Sequence, residues 1–188
     1  MFMFDIETLG TESHSVILSA ALTHFEIGTD YTYEQLLDNS IFVKVDVQYQ
    51  LKELKRVAQK DTIDWWSKQH EYVRGVSLKP TDLDMSPLEA IRALRDYAAQ
   101  FPEKDQTVWA RGSLDQMCID SLTRQLDQEL IFPYNNWRDM RTAIDLLKDT
   151  GKNGYCDIIH PTFKSHNVIK HHPVHDCALD IMMLIYGK

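Results

Sequence analysis

The sequence predicts an α/β domain built on a mixed sheet. Three strand-like runs come first, separated by turn residues. A helical middle is then interrupted by a further strand at 107–110, and the chain closes on a helix with one apolar face. The first run is Phe2 to Ile6, and the second is Val16 to Phe25, rich in strand formers. The third is Ser40 to Val45. Gly10, Gly28 and Asp38-Asn39 punctuate them, so an antiparallel meander is expected. Leu51, Leu54, Val57 and Ala58 have helical spacing within 50–59, and Asp61 is placed to cap a helix holding Trp65 and Trp66. Ser86-Pro87 reads as a cap with proline at the first helical position, followed by an apolar face from Leu88 to Phe101. Ser113 is expected to cap a helix that buries Met117, Leu122 and Leu126. The stretch 138–147 has no decisive period. A last helix over 175–186 turns Cys177, Ala178, Ile181, Met182 and Ile185 inward. No repeat, linker or low-complexity tract interrupts the chain, so residues 1–188 are expected to form a single domain.

Composition narrows the function classes. The 188 residues carry 20 Lys+Arg against 28 Asp+Glu, a formal charge of −8, with 44% hydrophobic and 26% charged residues. That is an ordinary globular composition, and its acidity argues against a protein that coats nucleic acid through basic side chains. An enzyme that holds nucleic acid through metal ions remains compatible with it. Cys118, Cys156 and Cys177 are an odd, widely spaced set, which points to a reducing cytosol rather than a disulfide framework. Met1-Phe2-Met3-Phe4-Asp5 is not a signal peptide, and no run of about 18 apolar residues is present to span a membrane. One local composition shift stands out. The stretch 160–175 holds five of the eight histidines plus Lys164 and Lys170, and no acid.

Three groups of residues carry chemistry. Asp5 and Glu7 are two apart, so a strand projects both from one face. Two carboxylates on an otherwise apolar strand call for a compensating charge, which a divalent cation supplies; a solvent-exposed strand end is the other reading. Asp115 falls in the first turn of a helix after a strand, where α/β proteins place their sites and where Asp also simply favours the helix dipole. His175 and Asp180 are five apart on the last helix, about 140° around its axis, and can flank one cleft. A different chemistry, a zinc-dependent hydrolase using His171, His172 and His175, is also open, although Pro173 stiffens that spacing.

Asp5-Ile6-Glu7-Thr8, Ser113-Leu114-Asp115 and His175 to Asp180 resemble, in order, the three motifs of the DEDDh (DnaQ-like) 3′–5′ exonucleases. Asp61 to Gln69, with its tandem Trp65-Trp66, and Arg138-Asp139-Met140-Arg141-Thr142 resemble segments of the phage exonuclease A group and its bacterial 3′–5′ exoribonuclease-like relatives. The resemblance covers nearly the whole chain. It departs where Arg111-Gly112 stands in place of the usual Asn and where Cys177 stands in place of Ala.

This resemblance implies a ribonuclease H-like fold with a central mixed five-stranded sheet flanked by helices. It implies two Mg²⁺ or Mn²⁺ ions held by Asp5, Glu7, Asp115 and Asp180, with His175 as the general base. The expected reaction releases 5′-mononucleotides from the 3′ ends of single-stranded nucleic acid, with DNA ahead of RNA. Thr8, Leu9 and Gly10 are expected at the terminal nucleotide, and Leu9 as a wedge against the last base. At least one of Trp65 and Trp66 is expected to stack on a base, and Arg141 to meet phosphate. The 160–172 stretch is a candidate mobile loop carrying positive charge. The expected setting is the cytoplasm of a bacterial or phage-infected cell, with no membrane partner, as monomer or homodimer. A catalytically silent nucleic-acid-binding module on the same fold is the alternative function.

Overall fold

β1 (Phe2–Thr8) is the central strand of the sheet, because both of its faces are covered. Phe2, Phe4 and Ile6 enter one core, while Met3 enters another on the opposite face, from which Asp5 and Glu7 also project. The computed structural model describes residues 1–102, 106–151 and 153–188. β2 (Ile17–His24) pairs antiparallel with β1, and β3 (Ser40–Lys44) pairs antiparallel with β2. On the other side of β1, β4 (Val108–Ala110) pairs parallel with it, and β5 (Trp137–Asp139) pairs parallel with β4. The five strands lie in the order β3-β2-β1-β4-β5, the mixed sheet of a ribonuclease H-like fold.

Helices cover both faces. α5 (Pro87–Ala99) and α6 (Leu114–Gln125) pack on the Phe2/Phe4/Ile6 face through Ala90, Ile91, Leu94, Cys118, Ile119 and Leu122. α8 (Pro173–Tyr186) crosses the other face, burying Cys177, Ala178, Ile181 and Met182 beside Met3 and Ala21. Full burial of an Ile or Met side chain contributes roughly 1.5–3 kcal/mol each. α7 (Met140–Lys148) joins this layer through Met140 and Ile144, and α1 (Tyr33–Asp38) through Tyr33 and Leu36. A third, small core of Leu9, Val16, Leu18, Trp66 and Val73 lies under α3 (Lys60–Trp66) and α4 (Glu71–Leu78).

The opening meander and the Ser86 cap match the sequence reading; Ser86 and Glu89 form a reciprocal capping box. Several elements differ. α1 interrupts the β2–β3 connection, held by a Thr32/Gln35 capping box; with six residues it is too short to show a helical period. The helix expected over 50–59 is α2 (Val47–Lys52) and stops there. Lys55 takes a left-handed φ of 53°, and the Arg56 N–H returns to the Gln50 carbonyl at 3.0 Å. Asp61 lies inside the first turn of α3, while Gln59 occupies the cap position without a capping side chain. Ser113 stands at the N-cap of α6 but makes no capping bond. Leu122 is buried and Leu126 packs on the core as expected, but Met117 faces out, and Cys118 and Ile119 fill the inward positions instead. The undecided stretch at 138–147 divides into the end of β5 and the start of α7, with Asp139 capping the helix.

Arg56 is what the irregular turn after α2 buries. It is 3% exposed. Its guanidinium donates to the carbonyls of Ser13 and Ser15 at 2.8–3.0 Å and, at longer range, to the Cys118 carbonyl at 3.4 Å, tying the chain after β1 to α6. Arg56→Met keeps the bulk and strands those carbonyls. It should lower stability by roughly 2–4 kcal/mol, since each buried polar group left unpaired costs ~1–3 kcal/mol. The shift of the urea midpoint measures this, and an unchanged midpoint would show that the guanidinium contributes nothing net.

Candidate active site

The site forms where β1 outruns its neighbour. β4 pairs with β1 only at Phe2 and Met3, so the Ile6 N–H has no strand partner on that side. It donates instead to Asp115 Oδ1 at 3.2 Å, which brings the first turn of α6 against β1. A register irregularity between Glu7 and Thr8 ends the regular pairing with β2 beside the same spot. From the opposite layer, α8 contributes Asp176 in its first turn and Asp180 one turn later on the same stripe. Asp5, Glu7, Asp115, Asp176 and Asp180 all line one cavity of about 440 Å³, together with Arg111, Arg141, Tyr155, Lys170 and His171.

Five carboxyls in one cavity repel each other. Burial raises the Asp5 carboxyl well above the usual range, and Asp115, Asp176, Glu7 and Asp180 push it further. Glu7 is raised in the same way, by burial and then by Asp176 and Asp115. Burial holds Asp115 up at about 7 in spite of the Ile6 N–H, and Asp176 also at about 7, with Asp180 adding to the latter. Asp180 is raised by burial but has its own counterion. Arg111 Nε donates to both of its oxygens, at 3.0 and 3.1 Å. The same guanidinium donates to the carbonyls of Asn153 and Gly154 and lies 4.2 Å over the Tyr155 ring.

The remaining carboxylates have no comparable partner and fit a divalent cation. Among the described residues, the one group of three possible ligands with atoms within 4.8 Å of one another is Glu7, His171 and Asp176. The carboxylate oxygens suit Mg²⁺ or Mn²⁺, and the His171 imidazole stands beside them. His171 Nδ1 lies 3.9 Å from Glu7 Oε1, and the His171 backbone N–H donates to Asp176 Oδ2 at 2.9 Å. That bond holds His171 at φ 62°, a left-handed conformation that a non-glycine residue keeps only when its surroundings impose it. Burial and then the nearby Lys170 lower the His171 pKa.

With this geometry established, comparison with known proteins is decisive. The model of the family described as the 3′–5′ exoribonuclease Rv2179c-like domain matches residues 1–185. The chain belongs to this family. The exodeoxyribonuclease of Enterobacteria phage T4 is 29% identical over 205 residues, covering 99% of this chain and 88% of that protein. Family membership makes the protein a 3′–5′ exonuclease and a hydrolase acting on nucleic acid, with the divalent-metal dependence expected of such enzymes. No helix among the described residues is long and apolar enough to cross a membrane.

Within this family member, the residues singled out by sequence separate into two groups. Asp5, Glu7, Asp115, Asp180 and Arg141 line the one cavity. His175 does not. Its Nδ1 lies 2.8 Å from the Tyr33 hydroxyl, and burial beside His172 lowers its pKa to about 4. His171 and Asp176, which the sequence reading passed over as catalytic groups, stand in the cavity instead. They are five positions apart, as are His175 and Asp180, so spacing alone does not tell the two pairs apart. The three imidazoles of the zinc reading do not converge on one point. His171 turns to Glu7, His172 stacks on Phe42 with ring centroids 5.1 Å apart, and His175 is taken by Tyr33.

The expected substrate contacts also divide. Trp66 is 1% exposed and its indole N–H donates to the Thr8 carbonyl at 2.9 Å, so it has no face for a base. Trp65 is 40% exposed and meets His171 edge to face at 4.8 Å. Leu9 is 8% exposed, buried in the third core rather than projecting as a wedge, because the turn after β1 folds it under α3. The Thr8 hydroxyl is spent on the Gly10 carbonyl at 2.6 Å. Gly10 sits close to side chains, and a Cβ there would press on Ser15 Oγ and the Gln59 amide. The 160–172 stretch is tethered through His160, which approaches Asp30 and packs on Tyr186, and through Phe163 against Tyr33.

The crowded carboxyls predict a pH response. Their raised pKa values mean that the folded, metal-free protein binds protons more tightly than the unfolded chain. That stabilisation is complete below the unfolded carboxyl range near pH 4, and is lost as pH rises through about 7, where Asp115 and Asp176 ionise. Thermal melts in chelator should give a lower Tm at pH 8 than at pH 6. Millimolar Mg²⁺ or Mn²⁺ should raise Tm more at pH 8, and Asp5→Asn should raise the chelated Tm at pH 8 by relieving repulsion. Equal melting temperatures across these conditions would mean that the carboxyls do not have raised pKa values in the folded state.

Proposed function

We propose that the protein removes 5′-mononucleotides from the 3′ ends of single-stranded nucleic acid, with Asp5, Glu7, Asp115 and Asp176 as metal ligands and His171 as the proton acceptor. The observation that carries this reading is the convergence of four carboxylates without a dedicated counterion and one imidazole in a single cavity. Two divalent ions, Mg²⁺ or Mn²⁺, would stabilise the charge on the attacking and leaving oxygens when bound by these carboxylates. Asp180, the expected fourth ligand, lines the same cavity with Arg111 on both of its oxygens, and Asp176 stands beside it as the carboxylate without that counterion.

The chain's own groups divide the remaining work. His171 takes a proton from the attacking water. Arg141 and Lys170, which border the cavity, provide positive charge for the phosphate that neighbours the scissile bond. The leaving 3′-oxygen departs on the side opposite the water, so the body of the strand lies away from His171. This leaves to the terminal nucleoside an adjoining groove of about 590 Å³, which shares Lys170 and His171 with the catalytic cavity. Gln69, His70, Tyr72 and His166 border that groove, and no acidic side chain does. Trp65, edge-on to His171, stands at the junction as a surface for stacking.

The direct test is digestion of matched 5′-labelled single-stranded DNA and RNA with Mg²⁺ and with Mn²⁺. A ladder shortening from the 3′ end, with 5′-mononucleotides released, is expected; internal cuts or 3′-phosphate products would contradict the reading. DNA ahead of RNA is the expected order, since the T4 relative is an exodeoxyribonuclease, and the paired substrates measure it directly. His171→Ala should lower kcat by roughly 10²–10⁴ while the rise of Tm with Mn²⁺ largely persists. Asp176→Asn should weaken that Mn²⁺ response strongly and Asp180→Asn should leave most of it, whereas the reverse order would return the fourth ligand to Asp180.

A further inference from the structure

The catalytic cavity continues in two directions. Through Lys170 and His171 it leads into the groove left to the terminal nucleoside. Through Tyr155, which lines the cavity, it reaches a second space of about 450 Å³ between the end of α7 and Lys188. Tyr155 is 60% exposed and belongs to none of the three cores. Its ring is held all the same. The Arg111 guanidinium lies over one face, 4.2 Å from the ring centroid. That guanidinium is itself fixed by Asp180 and by the carbonyls of Asn153 and Gly154, at 2.8 and 3.0 Å. The two residues before Tyr155 take left-handed φ values of 74° and 60°. Gly154 packs directly on α7, where a Cβ would lie 2.6 Å from the Arg141 carbonyl oxygen, and its N–H donates to Asp145 Oδ1 at 2.8 Å. Core packing does not explain an aromatic ring presented to solvent beside a polar cavity on so rigid a base. With a guanidinium on one face, the exposed ring offers a surface to a second planar group.

We propose that Tyr155 is the stacking platform for the base of the penultimate nucleotide, whose 3′-oxygen is the leaving group. This rests on the reading that the terminal nucleoside occupies the groove beside His171, and it does not depend on which side chain accepts the proton. The scissile phosphate joins two nucleosides, and the cavity that holds it has two continuations. With the terminal nucleoside in one, the penultimate nucleoside turns to the other, where Tyr155 stands. Lys148 and Lys188 border that second space, but so do Asp149 and Asp157, so the ring and not net charge is its distinguishing feature. Every base has a π face, so a stacking platform accepts each in turn as the strand shortens.

The test is a cycle of protein and substrate changes. Release of the first nucleotide is followed on 5′-labelled single strands that carry every base, lack the terminal base, or lack the penultimate base. Losing one base–aromatic stack weakens binding by roughly 5–100-fold, so Tyr155→Ala should raise KM by that factor on the strand with every base, with kcat little changed. Tyr155→Leu, which keeps apolar bulk without a ring, should behave like Tyr155→Ala, and Tyr155→Phe should recover most of the affinity. Removing the penultimate base should weaken binding to the unaltered protein by a similar factor and abolish its advantage over Tyr155→Ala. Removing the terminal base should leave that advantage intact. An unchanged KM in Tyr155→Ala would overturn the proposal. So would an equal loss with and without the penultimate base, because the ring would then only support Arg111 and its turn. A loss that tracks the terminal base would also overturn it, by reversing the strand. Trp65→Ala should show the opposite pattern, with its loss tied to the terminal base. If it shows none while Tyr155 couples to the penultimate base, the assignment of the terminal nucleoside fails and the Tyr155 platform stands.

Discussion

Mutual repulsion among buried carboxyls is the constraint around which this protein is organised. β1 brings Asp5 and Glu7 to one face, α6 adds Asp115, and α8 adds Asp176 and Asp180. Burial raises all five pKa values, and proximity to the other carboxyls adds to the rise at Asp5, Glu7, Asp115 and Asp176. Arg111 relieves it chiefly at Asp180, with which it pairs directly, and more weakly at Asp176. The rest of the cluster requires external positive charge, so the same arrangement that destabilises the metal-free protein creates affinity for a divalent cation. Stability and function are opposed here, as they commonly are at catalytic centres.

The fold supplies the counter-forces. The Ile6–Asp115 hydrogen bond occupies a strand edge that β4 is too short to cover, so a backbone requirement of the sheet and a chemical requirement of the site are met by one side chain. Arg56 performs a similar service behind the site, joining the carbonyls after β1 to α6. On the α8 side, the apolar stripe of Cys177, Ala178, Ile181 and Met182 anchors the helix on the sheet, which allows its first turn to hold an acid in the cavity. The acid-free 160–175 stretch lies against the acidic cluster, so the formal charge of −8 describes the whole chain but not the surface a phosphodiester meets.

Much of this was legible because local rules carry it. A period of two put Asp5 and Glu7 together, and a strand followed by a helix put Asp115 at the sheet's end. The histidine was harder. His171 to Asp176 and His175 to Asp180 have the same spacing, and the four-residue offset between them is close to one helical turn. What separates the two pairs is where α8 begins. With Pro173 at its first turn, His171 falls in the preceding loop and Asp176 in the first turn, aimed at β1. His175 is carried to the side of the helix that meets α1. Trp65 and Trp66 show the same limit: adjacent residues on one helix face in different directions, and only the position of the third core shows which one is buried.

By itself, the sequence determined the element classes along most of the chain, the opening meander, and the identity of the acids on β1 and α6. These depend on side-chain periodicity, capping and order along the chain, which are local properties. Tertiary structure alone decided which acid on α8 is neutralised by Arg111, which histidine reaches the cavity, and which tryptophan is buried. Each of those depends on a partner far away in sequence: Arg111 for Asp180, Tyr33 for His175, Thr8 for Trp66. Burial converts such pairings into large energetic differences, because a carboxylate or imidazole with a partner behaves differently from one without, and no spacing rule encodes which partner arrives.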